Sequence, residues 1–145
     1  MARDLLVELV TPEKTVLSER ADFVVLPAFE GEMGVLPGHE PYLVQLRPGG
    51  LRVRRDGQAR VFAVSGGFAE VLADKVSVFA ETAEMADEID AERARQALER
   101  ARAEAHRPDA DDLTLSRAET AIRRAQARLR VAGLRKGPGR RGGGP

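Results

Sequence analysis

The hydrophobic positions of the chain follow two different patterns. Up to residue 80, short apolar runs recur between turns rich in Gly and Pro, and this pattern is typical of β-strands. The clearest hairpin signal is Asp56-Gly57, because Asp-Gly suits a two-residue turn with positive φ. The pattern predicts about eight to ten short strands in a β-sandwich or flattened barrel. The candidate strands are Leu5–Val10, Phe23–Pro27, Gly34–Leu36, Tyr42–Leu46, Leu51–Arg54, Ala59–Val64, Phe68–Leu72 and Val76–Ala80.

After residue 90 the apolar spacing becomes helical. Two series of positions alternate steps of three and four, which places each series on one face of a helix. Pro108 interrupts the pattern, and so short a connection requires the two helices to be antiparallel. We expect Gly133 to cap the second helix. The two series are Ala91, Ala94, Leu98, Ala101 and Ala105, followed by Leu115, Ala118, Ile122, Ala125, Leu129 and Ala132.

The sequence therefore predicts an α+β protein with two domains and a tail. An N-terminal β-sandwich occupies residues 1–85, an antiparallel two-helix hairpin occupies residues 86–134, and residues 135–145 form a disordered basic tail. Small Ala side chains at most of the helical contact positions bury little area. We therefore expect a modestly stable hairpin that can separate.

Charge follows the same division. The whole chain has 23 basic and 23 acidic residues, but residues 1–85 carry 9 basic against 13 acidic groups, and residues 86–145 carry 14 against 10. Within the helical region the first helix is acidic and the second is basic, so the helices attract one another weakly. A net charge of zero argues against a protein built mainly to bind nucleic acid.

Composition also excludes several kinds of site. The chain has no Cys, which removes disulfides and thiolate metal sites, and its two His residues make a His-built metal site unfavourable. Its longest uncharged stretch, Val61–Ala69, is about half the length that a membrane-spanning helix needs. We expect no metal, no signal peptide and no insertion into a membrane.

Catalytic motifs are missing from the sequence. It contains neither a P-loop nor a dinucleotide-binding fingerprint. Ser65, in Ser-Gly-Gly, is better interpreted as a turn residue than as a nucleophile, and His39 as a residue that orders a turn rather than a general base. Glu30 and Glu32 lie in an exposed turn, where nothing nearby would separate their pKa values. An autonomous enzyme is therefore the weakest interpretation.

Three ordered segments carry a family resemblance. Glu30–His39 reads EGEMGVLPGH, Phe62–Val71 reads FAVSGGFAEV, and Val7–Pro12 reads VELVTP. Together they resemble the epsilon subunit of bacterial rotary F-type ATP synthases, whose signatures are E-G-E-x-G-x-x-P-G-H and S-G-G-F-x-E-V. The resemblance covers about residues 4–134. It implies a ten-stranded β-sandwich followed by two α-helices.

The resemblance also implies a function. The subunit would be a non-catalytic part of the central stalk, with its sandwich bound to the gamma subunit and to the ring of c subunits. The complex would lie at the cytoplasmic face of the bacterial inner membrane and synthesise ATP from the proton gradient. The alternative for the acidic loop is a turn with solvated carboxylates. The residues that the resemblance places towards the c-ring are Glu30, Gly31, Glu32, Gly34 and His39.

Some members of this family bind ATP in the helical domain through an [IL]-D-x-x-R-A motif. Ile89–Ala94 matches this motif in full and includes Asp90 and Arg93. The resemblance implies ATP as a regulatory ligand, with no metal required. The other nucleotide-contacting positions carry over as Glu84, Arg100, Arg124 and Arg128.

Heptad geometry supports this grouping independently. A turn centred near residue 109 brings Asp90 and Arg93 roughly opposite Arg124 and Arg128, on one side of the hairpin. Guanidinium groups suit a triphosphate through charge and paired hydrogen bonds. The alternative is that Asp90 is only a helix N-cap and that Arg93 is its partner one turn later.

These observations predict a two-state regulator. ATP would stabilise the folded-down hairpin, and without ATP the second helix would extend towards the alpha and beta subunits and inhibit hydrolysis. Two alternatives remain open. One is a rotor-assembly subunit that does not sense nucleotide, and the other is an Arg-rich adaptor for nucleic acid, which the scarcity of aromatic residues disfavours.

Overall fold

The computed structural model describes residues 3–139, and of residues 135–139 it describes only the backbone. Ten strands come first, and a short 3₁₀ turn at Ala86–Glu88 joins them to helices α1 and α2. The predicted fold class is therefore confirmed. The strands are β1 Leu5–Val10, β2 Thr15–Ala21, β3 Phe23–Ala28, β4 Gly31–Val35, β5 Tyr42–Leu46, β6 Gly49–Arg55, β7 Gln58–Val64, β8 Gly67–Leu72, β9 Lys75–Ala80 and β10 Ala83–Met85, and the helices are α1 Ala91–Ala105 and α2 Asp112–Gly139.

The strands form two layers that share one core. Strands β4, β3, β6, β7 and β10 make one layer, and β5, β8, β9, β1 and β2 make the other. A single residue pair, Ala28 with Leu46, joins the layers through β3 and β5. All pairings are antiparallel except that of β1 with β9. Leu, Val and Phe62 side chains from both layers fill the space between them.

Alternation of polar and apolar residues explains most of the strands. Leu5, Val7 and Leu9 of β1 are fully buried, because every second side chain points to the same face of a sheet. The predicted strands missed β2 and β10. In β2 only Leu17 and Ala21 are buried, and no residue of β10 is buried, so neither strand has a strong apolar signal.

Two glycine turns match their sequence signals. Asp56 and Gly57 have φ of 52° and 78°, which confirms the predicted two-residue hairpin between β6 and β7. Gly67 has φ of 126°, and a Cβ there would overlap the carbonyl oxygen of Phe79. Ser65 precedes this close approach and accepts a hydrogen bond from the Thr82 backbone N–H at 2.9 Å, as a turn residue does.

The helices pack through the predicted small residues. Ala94, Leu98 and Ala101 of α1 are buried, as are Ala118 and Ala125 of α2. The predicted cap at Gly133 is wrong, because α2 continues to Gly139. The backbone of residues 135–139 is thus helical, although we expected the disordered tail to include it. The rest of that tail, residues 140–145, lies outside the described residues.

The second helix also docks on the sandwich. Val131 and Ala132 of α2 form a small second core with Ala63 of β7 and Ile89. A Cβ on Gly50 of β6 would lie 3.3 Å from Val131, so a residue without a side chain allows this approach. The hairpin consequently lies against the outer face of the first layer, next to β10.

Candidate functional site

A cleft of about 540 Å³ lies between the helical hairpin and the edge of the sandwich. Glu84 of β10 contributes from the sheet edge, Arg93 and Arg100 from one face of α1, and Arg128 from α2. Arg93 and Arg100 lie two turns apart on the same helical face. Five of the six residues predicted for nucleotide therefore line one cleft. The lining residues are Glu84, Glu88, Asp90, Arg93, Gln96, Ala97, Arg100 and Arg128.

Glu84 and Arg128 join the sandwich to the hairpin within this cleft. The Arg128 Nη2 donates to Glu84 Oε2 at 3.1 Å, and Arg128 Nε lies 2.7 Å from Glu84 Oε1. Both side chains are about two-thirds buried. The Nε N–H is not directed at that oxygen, so this buried donor has no hydrogen-bond acceptor among residues 3–134. Arg128 therefore keeps an unused donor while its charge is neutralised.

Arg124, the sixth predicted residue, points elsewhere. Its Nη2 donates to Glu81 Oε2 at 2.6 Å, and it lines an adjoining cleft of about 480 Å³. The two clefts share Glu84, Ala97 and Arg128. The adjoining cleft also has apolar walls, formed by Ala63 and other small residues of β7 and α2. A ligand that occupied both clefts would meet three arginines in the first and a fourth in the second.

The motif residues Asp90 and Arg93 have different roles. Asp90 caps α1, because its Oδ1 accepts a hydrogen bond from the Arg93 backbone N–H at 3.1 Å. Asp90 is therefore the helix N-cap that the alternative interpretation of the sequence predicted. The side chains of Arg93 and Arg100 make no ion pair within the described part of the chain, and both residues are exposed. These two guanidinium groups have their donors available to an anion.

The cleft balances its own charges. Three carboxylates, from Glu84, Glu88 and Asp90, face three guanidinium groups. The carboxylates offset the repulsion between the neighbouring guanidinium groups. Chemically, the arrangement can bind an anion with several phosphate or carboxylate groups through forked, charge-assisted hydrogen bonds.

The residues predicted to face the c-ring do not form one loop. Phe29 and Glu30 form the tip of the β3–β4 hairpin, whereas Glu32 lies on β4 opposite Pro27. Glu30, Gly31 and Glu32 line a cleft of about 420 Å³ with Tyr42–Gln45 of β5. Gly34 lies further along β4, where a Cβ would meet the Phe23 ring at 2.9 Å.

His39 belongs to the next turn and shapes it. Its backbone N–H donates to the Leu36 carbonyl at 3.2 Å, and its Nδ1 lies 2.6 Å from the Glu40 carbonyl oxygen. The ring contacts Tyr42 edge-on, with centroids 6.4 Å apart. Since Tyr42 also lines the cleft beside Glu30, this contact connects the two turns. His39 thus has the turn-ordering contacts that its sequence position indicated.

Asp74, in the turn between β8 and β9, anchors the turn that contains His39. Its Oδ1 accepts from the Gly38 backbone N–H at 2.7 Å, and its Oδ2 accepts from Arg3 Nη2 at 2.6 Å. The hydrogen bond from Gly38, and after it the one from Arg3, lowers the pKa of Asp74 below its ordinary value of 3.8. Asp74 therefore ties three distant segments together as long as it is ionised.

The sequence interpretation missed one exposed surface, which we call the outer apolar face. It consists of Leu43, Phe68, Leu72 and Phe79, which are 41–68% exposed on β5, β8 and β9. The rings of Phe68 and Phe79 stack with centroids 5.1 Å apart. The sequence did contain a signal for this surface. Apolar residues occupy the outward positions of strands whose alternate residues, such as Ala69 and Val78, are buried. These side chains share the face with exposed Glu70, and a group of apolar residues within a polar surround is a candidate partner surface.

Two other kinds of site are absent from the described residues. Within residues 3–139, no helix combines the length and the hydropathy needed to cross a bilayer. Nowhere in the same range do three or more His, Cys, Asp or Glu side chains gather as metal ligands would.

The fold and its clefts define a class, namely a β-sandwich protein with a helical hairpin docked on its edge and an arginine-rich cleft between them. The chain belongs to the delta/epsilon chain family of ATP synthase. The family model for its beta-sandwich domain matches residues 4–86, and the model for its long alpha-helix domain matches residues 87–133. The resemblance drawn from the three sequence segments is confirmed.

Full-length relatives support the same assignment. The ATP synthase epsilon chain of Herpetosiphon aurantiacus is 50% identical over 130 residues, which cover 89% of this chain and 94% of that protein. The epsilon chain of Syntrophobacter fumaroxidans is 50% identical over 132 residues, with 91% and 98% covered. A chain in the Euglena gracilis mitochondrial ATP synthase, solved as OSCP/F1/c-ring, has 32% identity and a TM-score of 0.80 over 92% of this chain and 83% of that one. A chain in the Tetrahymena thermophila central stalk/c-ring structure is only 16% identical and shares the fold, with a TM-score of 0.61 over 90% and 97% of the two chains.

Proposed function

We propose that the protein is the epsilon-type rotor subunit of a proton-translocating ATP synthase, that it is itself non-catalytic, and that its helical hairpin regulates ATP hydrolysis and senses ATP. Family membership over residues 4–133 supports the first part. The similar chains of known structure come from assemblies described as F1/c-ring and as central stalk/c-ring. The subunit would work peripherally, on the cytoplasmic face of the bacterial inner membrane.

Two surfaces of the sandwich suit two rotor partners. The outer apolar face offers stacked aromatic rings of the kind that anchor stable protein interfaces, and we assign it to the gamma subunit. The β3–β4 hairpin carries two exposed carboxylates, Glu30 at its tip and Glu32 on β4, and we assign it to the c-ring. Acidic side chains at an exposed tip favour a basic partner and set its orientation more than its affinity. The sandwich would thus connect the ring to the stalk that enters the catalytic head.

Nucleotide sensing rests on a single observation: Glu84, Asp90, Arg93, Arg100 and Arg128 line one cleft. These residues lie on three elements that only the docked hairpin brings together. A triphosphate in this cleft would bridge both helices and the sandwich edge. Because such a ligand binds the docked state and not the open state, it would shift the population towards the docked hairpin.

The proposed regulation follows from this shift. The hairpin docks through a second core of only four buried residues, three of them Ala or Val, so separation exposes little apolar surface. With ATP bound, the hairpin stays on the sandwich and the catalytic head is free to turn over. Without ATP, the separated hairpin becomes more populated, and its α2, which carries more basic residues than α1, contacts the alpha and beta subunits and resists hydrolysis.

Calorimetry of ATP binding to the full-length chain tests the nucleotide site. The informative substitutions are Arg93→Ala and Arg100→Ala, because neither side chain makes an ion pair that would be lost from the docked hairpin within the described residues. Losing one charge-assisted contact should weaken ATP binding about tenfold or more. Arg95→Ala is the matched control, since Arg95 lies on the same helix and pairs only with Glu92 on the surface.

The outcomes separate the candidate functions. Binding that falls in the two cleft variants and stays within twofold in Arg95→Ala supports the site. If all three variants bind ATP as tightly as the unmodified chain, the site assignment is wrong. Absence of ATP binding to the unmodified chain would favour the rotor-assembly subunit without nucleotide sensing.

A further inference from the structure

The connection between β9 and β10 places one carboxylate directly against the helical hairpin. Glu81 lies in this connection, and its Oε2 accepts from Arg124 Nη2 of α2 at 2.6 Å. No sequence motif indicated this pair, because the two residues are 43 positions apart. Together with Glu84 and Arg128, it makes two ion pairs that join the sandwich to one side of α2.

The backbone around Glu81 is fixed by the Ser-Gly-Gly turn. The Glu81 N–H donates to the Gly66 carbonyl at 3.2 Å, and the Ser65 N–H donates to the Thr82 carbonyl at 3.2 Å. The Ser65 hydroxyl accepts from the Thr82 N–H as well. Three hydrogen bonds therefore hold the backbone that presents the Glu81 carboxylate towards α2. The turn has a positioning role in addition to making room at Gly67.

The two ion pairs differ in exposure. The side chains of Arg124 and Glu81 are 45% and 63% exposed, whereas those of Arg128 and Glu84 are 30% and 33% exposed. Exposed ion pairs are weak and are screened by salt, so the Arg124–Glu81 pair is the easier one to exchange. Arg124 also lies one helical turn from Arg128, which lines both clefts. A polyphosphate beside Arg128 would therefore lie within one turn of Arg124.

We propose that Arg124 exchanges partners: it binds the Glu81 carboxylate when nucleotide is absent and the phosphates of the nucleotide when it is present. Glu81 thereby acts as an internal competitor: its ion pair opposes separation of the unliganded hairpin, and ATP must displace it, which lowers the affinity for ATP. The proposal rests on the nucleotide site proposed above. It accounts for the position of Arg124, which alone among the six predicted residues lies outside the first cleft and pairs with Glu81. Guanidinium groups bind carboxylates and phosphates with the same forked geometry, so the exchange needs only a change of side-chain direction.

The substitution that tests the exchange is Glu81→Gln in the full-length chain, with Glu99→Gln as the matched control. Glu99 is also an exposed carboxylate, on α1, and it makes no ion pair in residues 3–134. Calorimetry with ATP should show about two- to fivefold tighter binding in Glu81→Gln, because a surface pair no longer competes. Glu99→Gln should stay close to the unmodified chain, which excludes a general effect of removing one negative charge.

A second measurement needs no nucleotide. The chain contains no Cys, so Glu13→Cys on the sandwich and Glu119→Cys on α2 allow specific labelling for energy transfer between the two domains. Without ATP, the labelled Glu81→Gln protein should show less energy transfer than the labelled unmodified protein, and saturating ATP should restore it. Glu99→Gln should match the unmodified protein in both conditions.

The two measurements distinguish failure of the partner exchange from failure of the nucleotide site. If the unmodified chain binds ATP and Glu81→Gln changes neither affinity nor energy transfer, the exchange is overturned while the nucleotide site stands. If no variant binds ATP, both the nucleotide site and the exchange are overturned, and energy transfer then decides whether Glu81 holds the hairpin at all. An equal increase in ATP affinity in Glu81→Gln and Glu99→Gln would also overturn the exchange, because the loss of a negative charge at any position would then explain it.

Discussion

Asp74 shows how one residue can hold distant segments of the sandwich together. It has φ of 60°, a left-handed conformation that Asp and Asn adopt more readily than most residues. From there its carboxylate reaches the Gly38 backbone and the Arg3 side chain. The three segments meet only when β1 pairs with β9 and β5 pairs with β8, so no local pattern in the sequence indicated this contact.

The lowered pKa of Asp74 predicts an effect of pH on stability. Because the pKa is lower in the folded state than the ordinary value of 3.8, the ionised form stabilises the fold. This contribution is fully present above pH 3.8 and is lost as the pH falls through the folded-state pKa. Asp74→Asn, which keeps the left-handed conformation accessible, should therefore be less stable than the unmodified protein at pH 7, and this difference should shrink as the pH falls below 3.8.

Urea denaturation at pH 7 and at about pH 2.5 checks this expectation. Glu13→Gln is the control, since Glu13 is exposed and has no ion pair in the described residues. A difference between Asp74→Asn and the unmodified protein that does not change with pH would contradict the role given to the ionised carboxylate.

At the scale of elements, α2 carries two buried stripes instead of one. Ala118 and Ala125 lie on the stripe that the heptad spacing predicted, and they pack in the hairpin. Ala127 and Val131 are also buried, although they lie outside that spacing, and Val131 approaches Gly50 of β6. A helix with two apolar faces has two packing partners. The second stripe explains why α2 lies on the sandwich as well as against α1.

The continuation of α2 predicts the effect of Gly133→Ala. Gly133 lies inside the helix, and a Cβ there would meet nothing within 4 Å. Ala in a helix interior is about 0.5–1 kcal/mol more stable than Gly, so the substitution should stabilise the helical domain. Gly57→Ala is the contrasting variant, because φ of 78° makes Ala unfavourable there.

Urea denaturation followed by circular dichroism at a helix-sensitive wavelength measures both variants. The free energy of unfolding should be higher in Gly133→Ala and lower in Gly57→Ala than in the unmodified protein. If Gly133→Ala were destabilising as well, Gly133 would have the left-handed conformation of a helix cap.

At the scale of the whole molecule, the surfaces that we propose for nucleotide and for the gamma subunit lie on opposite layers. The arginine-rich clefts lie beside β10 and β7 of the first layer, and the outer apolar face lies on β5, β8 and β9 of the second. The sandwich can therefore keep one partner bound while the hairpin docks or separates. The neutral total charge likewise combines an acidic sandwich with a basic helical region.

This separation predicts a selective effect of Phe68→Ser. Phe68 is about half exposed and stacks on Phe79, so its loss should leave the core of the sandwich intact. Truncating an aromatic anchor at an interface weakens binding by about 2 kcal/mol or more, or at least about thirtyfold. We expect Phe68→Ser to reduce co-purification of the gamma subunit while ATP binding by the isolated chain is unchanged.

Leu113→Ser is the control, since Leu113 is equally apolar and 58% exposed but lies on α2. Retention of the gamma subunit by Phe68→Ser at the level of Leu113→Ser would contradict the assignment of the outer apolar face.

The sequence by itself determined most of the elements, and its family resemblance supplied the residues proposed for nucleotide binding. Alternation placed β1, β6 and β8, heptad spacing placed the hairpin contacts, and helical spacing put Arg93 and Arg100 on one face, because each pattern depends on residues close together in the chain. It did not determine β2 or β10, whose few buried side chains give no apolar signal.

Only the tertiary structure decided which surfaces these elements share. The pairing of Arg124 with Glu81, the approach of Val131 to Gly50 and the link from Asp74 to Gly38 all join residues more than 30 positions apart. Such contacts depend on the angle and register at which the hairpin and the layers pack. That packing is set by the sum of many weak contacts across the molecule and not by any local pattern of residues.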